Sequence, residues 1–491
     1  MKTTAMGVIL DLTGEQKAFL DDLMTRYCAA RAPAEGGSWA FNRLLRGAPV
    51  QQTRVQVQGK FDFNSRQAND AVHDAQATIS SQKELVNLHF ENATKKVEFT
   101  RNRLEKSKSL DKRARLQRRL EKEERKLAQW KKHVEAGTIP PVVFGTKKLF
   151  IGRCKGNVSR EEWRDARSNR YMSRGDKTKG GNLNTRIGVI DGLICLEIAA
   201  EMVQTKKSVR YKRITVPVYI AHKPSKKTGK SNGLNYRKMV LDYLTTGGAY
   251  QVEIIRRNGR YYVHVIIDEA VPAVRITRGG AIGADTNPDG VGLARADYLG
   301  QFMDSLWLAQ GEWTYARSNR RLNLIGEAAA LLVEIASRLE CILVVEDLDF
   351  KDDKSVSAKF NRMSHGFVWS TFLMMVERAA ARKGVPLVKI KPPFTSVIGI
   401  LKYQHQYGLS NHEASGYVIA RRGLGIDTER VPGPLVDRFI RKKEGFYHLG
   451  NWKQWSSIKK AAVAAIKEQT KKEVNSLVSW QHYRKKLQKA G

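Results

Sequence analysis

Two apolar runs, each closed by an acidic residue, confine this chain to a small set of folds. The first, "GGAIGADTNPDGVGLARAD", carries Asp285, and the second, "CILVVEDLDF", carries Glu346 about sixty residues later. A single long helical pattern, expected from about Thr314 to Leu339, lies between them. Two short buried strands joined by a helix read as parallel neighbours in one sheet, because parallel pairing needs such a crossover. Each acid then stands at a strand end, where carboxylates from adjacent strands reach a shared divalent cation. Such a cluster suits phosphodiester cleavage, in which two cations roughly 4 Å apart activate water and stabilise the leaving oxygen.

Charge narrows the partner. Lys and Arg number 86 against 49 Asp and Glu, a formal net charge of +37. An excess of that size repels itself and calls for a polyanion nearby. A merely solubilising or ribosomal-type basic surface is the bland alternative; the acidic pair argues for nucleic acid as a substrate. With 491 residues, 42% of them hydrophobic, the chain can bury a real core and is expected to divide into two to four domains. Cys28, Cys154, Cys195 and Cys341 form no C-x-x-C pair, which excludes a disulfide framework and a four-cysteine zinc site. The apolar stretch before Asp11 is too short for a signal peptide, and no run approaches a membrane span. A soluble, cytoplasmic protein with no membrane partner is expected.

Along the chain, residues 7–12 read as a strand, and a helix follows with Thr13 as N-cap and Gln16 as capping-box partner. Residues of about 65–136 read as helical. In the last part, Leu116, Leu120, Leu127 and Trp130 fall on or near one face, while Arg113, Arg115, Arg118 and Arg119 are candidates for contact with phosphates. The alternative is a solvated, salt-bridged hairpin, since Glu121, Glu123 and Glu124 sit among the bases. Residues 142–275 read as strands: "VVFGTKKLFIG", "RIGVIDGLICLEIA", "RYKRITVPVYIA", and a hairpin turning at Asn258-Gly259. The basic loop with Lys226, Lys227 and Lys230 is either a solvated excursion or a phosphate clamp. From about 280 strands and helices alternate, and a basic helical tail carries Trp452, Trp455 and Trp480.

The segments "IGADTNPDGVGLARAD", "VVEDLDF" and "KIKPPFTS" resemble, in order and spacing, the RuvC nuclease domain of transposon-encoded TnpB proteins and compact type V CRISPR effectors. The resemblance covers roughly residues 276–425 and, more loosely, the hairpin upstream. It implies an α+β multidomain chain: an RNase H-like (RuvC) α/β domain, a wedge-type β-barrel and an inserted helical recognition domain. The implied boundaries are 1–50 for the first part of the wedge, 51–139 for the helical insertion, 140–275 for the wedge barrel, 276–440 for the nuclease domain and 441–491 for a basic helical segment. Asp285 and Glu346 match the family's first two metal ligands, and Phe394-Thr395-Ser396 matches the turn leading to the third.

Two departures stand out. The family's four-cysteine zinc ribbon has no counterpart in "VIGILKYQHQYGLSNHEASGYVIARRG", so no zinc is expected. The third Asp is replaced by a helix opening Asn411-His412-Glu413; Glu413 can ligate Mg²⁺, His412 can assist, or the site is impaired. The resemblance therefore implies an RNA-guided DNA endonuclease of the prokaryotic cytosol or nucleoid, with guide RNA and double-stranded target DNA as partners and Mg²⁺, replaceable by Mn²⁺, as cofactor. One alternative is an RNA-guided DNA-binding protein with weakened or absent cleavage. A second is an RNA-independent resolvase or transposase.

Overall fold

The computed structural model describes residues 1–31, 33–34, 37–204, 209–221, 234–347, 369–441 and 443–465. The chain forms two compact units, Met1–Glu269 and Ala270–Gly491. The expected mixed α+β architecture is present, with one large sheet in each unit.

In the first unit β1 (Lys2–Ile9) is followed by α1 (Gly14–Arg31), the small strands β2 (Pro33–Ala34) and β3 (Gly37–Ser38), and six helices before the next strand. The strands β4 (Arg170–Ser173), β5 (Thr185–Ile190), β6 (Leu193–Gln204), β7 (Val209–Ile220), β8 (Gln251–Arg257) and β9 (Arg260–Asp268) complete the set. The main sheet runs β4-β8-β9-β1-β7-β6-β5, and every pairing in it is antiparallel. The N-terminal strand sits at its centre. α1 begins with the expected capping box: the Gln16 amide donates to Thr13 Oγ1 at 3.2 Å, and the Thr13 amide to Gln16 Oε1 at 2.9 Å. Asn258 and Gly259 have φ of 51° and 72°, and Asp191 and Gly192 have 51° and 76°. Both pairs form left-handed turns that match the twist of the strands they join.

Two expectations are corrected here. The sheet is open: β4 and β5 end it and do not pair, so no closed barrel exists among the described residues. Closure needs the end strands to be hydrogen-bonded at a consistent stagger, and alternating hydrophobicity is the same in open and closed sheets. The segment "VVFGTKKLFIG" is not a strand; Lys147–Cys154 is a helix. Thr146 caps it by accepting from the Leu149 amide at 3.3 Å, a local bond that outweighs the β-branched residues before it.

The helical part is led by α4 (Ser65–Glu105), 41 residues long and opened by an Asn64–Gln67 capping box. Its first turns are buried, and ion pairs tie them to β4 and the residue that follows it: Arg170 to Asp74 at 2.9 Å and Arg174 to Asp70 at 2.9 Å. Burial pushes the Asp70 carboxyl up to about 6 against the pull of Arg174. Its distal turns pair with α5 (Leu110–Glu135) through Thr100–Glu123 at 2.6 Å and Arg101–Glu124 at 2.9 Å.

In the second unit a hairpin of β10 (Ala281–Asn287) and β11 (Gly290–Ala296) is extended by β12 (Phe302–Ala309). The long helix Ser318–Arg338 then leads to β13 (Ile342–Glu346), and the helix Trp369–Lys383 precedes β14 (Leu387–Ile390). The order is β12-β11-β10-β13-β14, antiparallel on the hairpin side and parallel from β10 through β14. This is the hairpin, helix and parallel-strand layout expected from the sequence.

Alternation along each strand sorts its side chains by face. Ile282, Ala284, Leu343 and Val345 pack against the helices Ser318–Arg338 and Trp369–Lys383. Ala281, Ala294 and Val344 pack against the helix Asn411–Gly423 and, through Trp455 and Ile458, the segment 451–465. The Asn411–Gly423 helix lies almost on the sheet backbone. A Cβ on Gly283 would stand 2.0 Å from Gly416 O, and one on Gly292 would stand 2.5 Å from the His412 carbonyl carbon. Neither obstacle is a flexible side chain. Gly283→Ala should therefore destabilise the second unit by about 3 kcal/mol, as severe overpacking does, to be read as a lower urea midpoint; an unchanged midpoint would mean that the helix is free to lift.

No helix among the described residues is long and apolar enough to cross a membrane.

Candidate active site

Strand register puts the two acids side by side. Ala284 pairs with Val345 in the parallel ladder, so Asp285 and Glu346 follow at the next step on neighbouring strands. Neighbouring strands run about 4.8 Å apart. Ala284 and Val345 point into one core, so the two carboxylates emerge on the opposite face, the one covered by the Asn411–Gly423 helix.

Each acid has its own partners. Thr395 Oγ1 donates to Glu346 Oε1 at 2.6 Å. Burial and the nearby charge of Asp285 outweigh this bond and the field of Arg422, and push the Glu346 carboxyl up to about 7. Thr395 is set at the start of its short helix by Phe394, whose φ of 65° bends the chain sharply after Pro393. Arg422 is itself 7% exposed; its guanidinium donates to Lys391 O and Pro393 O at 2.9 Å each and stacks on Trp452 at 4.9 Å. Arg422 thereby fixes the segment that delivers Thr395.

Asp285, 7% exposed, meets His412 and Asn287. His412 Nδ1 and Asn287 Nδ2 both lie 2.9 Å from Asp285 Oδ2, and 2.7 Å from each other. With its proton on Nε2, His412 accepts from Asn287; with Nδ1 protonated, it donates to Asp285. The hydrogen bond to Asp285 raises the His412 pKa above its ordinary value, against the effect of burial and with help from Asp289. The ring is held flat by Trp307, with centroids 5.2 Å apart and planes 23° apart.

Glu413, one residue on, faces elsewhere. Its Oε2 accepts from the Ser410 amide at 3.0 Å and its Oε1 from Ser305 Oγ at 3.1 Å, while its own amide donates to Ser410 Oγ. Burial would raise its pKa, but the bonds from Ser410 and Ser305 prevail and hold it below the usual carboxylate value. It closes the capping box of the Asn411–Gly423 helix, and consecutive helical side chains diverge by about 100°. Among the candidate ligands, the structure thus brings together Asp285, Glu346 and His412. Among the described residues no group of three or more His, Cys, Asp and Glu side chains converges as a ready metal site.

Sequence reasoning missed Asn287, Thr395 as the partner of Glu346, and Arg422. Asn287 lies two residues past Asp285 on the same strand, where alternation returns a side chain to the same face, so its signal was present.

The candidate phosphate contacts divide. Arg113 donates to Leu104 O and Ser107 O at the α4–α5 turn, Arg115 to Asp111 O, and Arg119 pairs with Glu123 at 2.9 Å. Arg118 is exposed. Lys226, Lys227 and Lys230 lie outside the described residues, as does Trp480 of the basic tail. Trp455 is fully buried in the core.

A family model described as the SSO2105 N-terminal domain matches residues 4–279, more than half of the 491-residue chain, and stops just before β10. No curated protein matches the chain. Among solved structures, RuvC of Thermus thermophilus is 19% identical over 32% of this chain and 87% of its own, with a TM-score of 0.19. A Cas12f1–sgRNA–target DNA complex is 10% identical over 86% of this chain and 99% of its own, with a TM-score of 0.23. A Cas12i–crRNA–dsDNA complex is 9% identical over 74% of this chain and 57% of its own, with a TM-score of 0.27.

Proposed function

Because the chain belongs to the SSO2105 N-terminal domain family and joins to that domain a sheet bearing paired strand-end acids, we propose that it is a divalent-metal-dependent nuclease, and more specifically an RNA-guided DNA endonuclease. One observation carries the reading: Asp285 and Glu346 emerge side by side on one face, and Glu346 is pushed up to about 7 by burial and by its neighbour's charge. Two crowded, partly desolvated carboxylates are poorly satisfied without a cation. The residues therefore fit Mg²⁺ or Mn²⁺, with Asp285 and Glu346 as the holding carboxylates and His412 as the third group. A divalent cation bound there would acidify water and neutralise charge on the phosphate and leaving oxygens.

The chain's own residues supply positioning. Thr395, placed by Phe394 and Arg422, orients one carboxylate oxygen of Glu346. Asn287 and Trp307 hold the His412 ring edge at Asp285. The net charge of +37 supports a partner with far more phosphate than a short duplex, as a structured guide RNA paired with DNA would be.

A second reading, an RNA-guided binding protein without cleavage, is favoured by one observation: Glu413, the carboxylate nearest the expected third-ligand position, is engaged in a helix cap. Paired substitutions separate the two. His412→Ala should slow metal-dependent cleavage about 100-fold, the upper range for loss of a group that supports metal binding. Glu413→Ala should leave cleavage within a few-fold and cost about 1 kcal/mol of stability through the lost cap. The reverse pattern would make Glu413 the ligand, and no cleavage by the unaltered protein in Mg²⁺ or Mn²⁺ would establish the binding-only reading.

A further inference from the structure

A pocket of about 580 Å³ lies in the first unit, between the start of α4 and strands β5 and β7. Asn64, Arg66, Asn184, Arg186, Tyr211 and Arg213 are among its lining residues. Four features converge there. The first is the N-terminus of a 41-residue helix, which carries roughly half a positive charge. Beside it, Arg66 is braced by Asp176 at 3.1 Å, with its side chain 37% exposed.

The second feature is a pair of like charges. Arg213 is tethered through Leu183 O at 2.7 Å and Glu197 O at 3.3 Å. Burial and then the positive charge of Arg186 lower its pKa. Arg186 is exposed and makes no ion pair among the described residues. Like charges brought together in this way repel one another, and an anion bound between them relieves the repulsion through charge-assisted hydrogen bonds.

The third is a buried donor without an acceptor. Asn184 is 4% exposed; its Oδ1 accepts from Asn64 Nδ2 at 2.9 Å, while its own Nδ2 has no partner among the described residues. An unmet buried donor is costly, and an oxyanion at this position would remove that cost. The fourth is Tyr211, half-buried on β7, with an aromatic ring of the kind on which a nucleobase stacks.

We propose that this pocket is a phosphate subsite for a nucleic-acid strand, receiving a phosphoryl oxyanion at the start of α4 from Asn184, Arg66, Arg186 and Arg213, with the attached nucleoside against Tyr211. The proposal rests on the reading of the chain as a nucleic-acid-binding protein, and it concerns binding rather than cleavage. The phosphate is either the terminal group of a strand or an internal diester.

The test uses the full chain in EDTA with 3′-labelled single-stranded RNA bearing a 5′-phosphate or a 5′-hydroxyl. Arg186→Gln, at an exposed residue that leaves the fold intact, should weaken binding about tenfold, the effect of one charge-assisted contact. It should also reduce the slope of log affinity against log salt by about one. Asn184→Asp, which keeps the acceptor for Asn64 but places a carboxylate in the pocket, should weaken binding at least as much. A 5′-phosphate preference that disappears in Arg186→Gln identifies the terminal source; equal affinities that fall together identify the internal one. The subsite is overturned if both variants bind within twofold of the unaltered protein with its salt slope, or if the unaltered protein binds neither RNA. Normal RNA binding with these losses, but no DNA cleavage in either metal, would leave the subsite standing and sink only the nuclease reading.

Discussion

Asp285→Ala is expected to lower metal-dependent DNA cleavage at least about a thousandfold while target binding survives. A catalytic cation contributes several kcal/mol of charge stabilisation, and each 1.36 kcal/mol is about tenfold in rate. The side chain is also the meeting point of the site, since His412 and Asn287 both bond to Asp285 Oδ2. Asp347 is the control: it is exposed, one residue beyond Glu346, and its backbone amide bonds to Ile390 O. Asp347→Asn should cut within a few-fold of the unaltered rate. The measurement is cleavage of labelled duplex with the loaded complex in Mg²⁺ and Mn²⁺, alongside target binding in EDTA. Retained cutting by Asp285→Ala would remove the assignment of the site.

Glu346→Gln should do two opposite things: abolish cleavage and stabilise the metal-free protein at alkaline pH. The Glu346 carboxyl sits at about 7 in the fold, above its ordinary 4.5, chiefly because it is buried. Between these values the native state keeps a proton that the unfolded chain has released, so stability falls as pH rises through the window. Well above pH 7 the whole penalty is present, about 3 kcal/mol. A glutamine avoids it and can still accept from Thr395. In EDTA at pH 8 the variant should therefore be about 2 kcal/mol more stable to urea than the unaltered protein, and at pH 4.5 the gain should vanish. Added Mg²⁺ should narrow the difference by stabilising only the unaltered protein. A variant less stable at pH 8 would contradict the raised Glu346 carboxyl and the burial that causes it.

Legibility from sequence tracked the range of the interaction. Thr13 with Gln16, and Asn258 with Gly259, are local devices, and the structure has both where the sequence indicated. The layout of the second sheet was legible because its buried strands are apolar runs separated by two amphipathic helices. Sheet closure in the first unit was not, since it depends on whether β4 and β5 meet, and nothing in either strand encodes its distance from the other. The helix Lys147–Cys154 lies within an apolar stretch that reads as a strand, and what starts it is the bond from the Leu149 amide to Thr146 Oγ1. At the site, the sequence reading left His412 and Glu413 as alternatives. Their different surroundings depend on Ser410, at the start of their own helix, and on Ser305 and Trp307, both on the distant strand β12. Arg422 could not have been found, because its role runs through two backbone carbonyls.

The bare backbone beneath the Asn411–Gly423 helix sets a limit on how this site can change. Where side chains space a helix from a sheet, a sequence can adjust the gap in small steps by exchanging one residue for a slightly larger one. At Gly283 and Gly292 no such gradation exists, because the smallest substitution adds a whole methyl group against backbone atoms 2.0 Å and 2.5 Å away. The distance between His412 and Asp285 is thus quantised: it stays as it is or jumps. Lineages that retune metal preference or cutting rate would have to do so from the open sides, through Asn287, Trp307 and the Phe394–Thr395 turn, where side chains rather than backbone set the spacing.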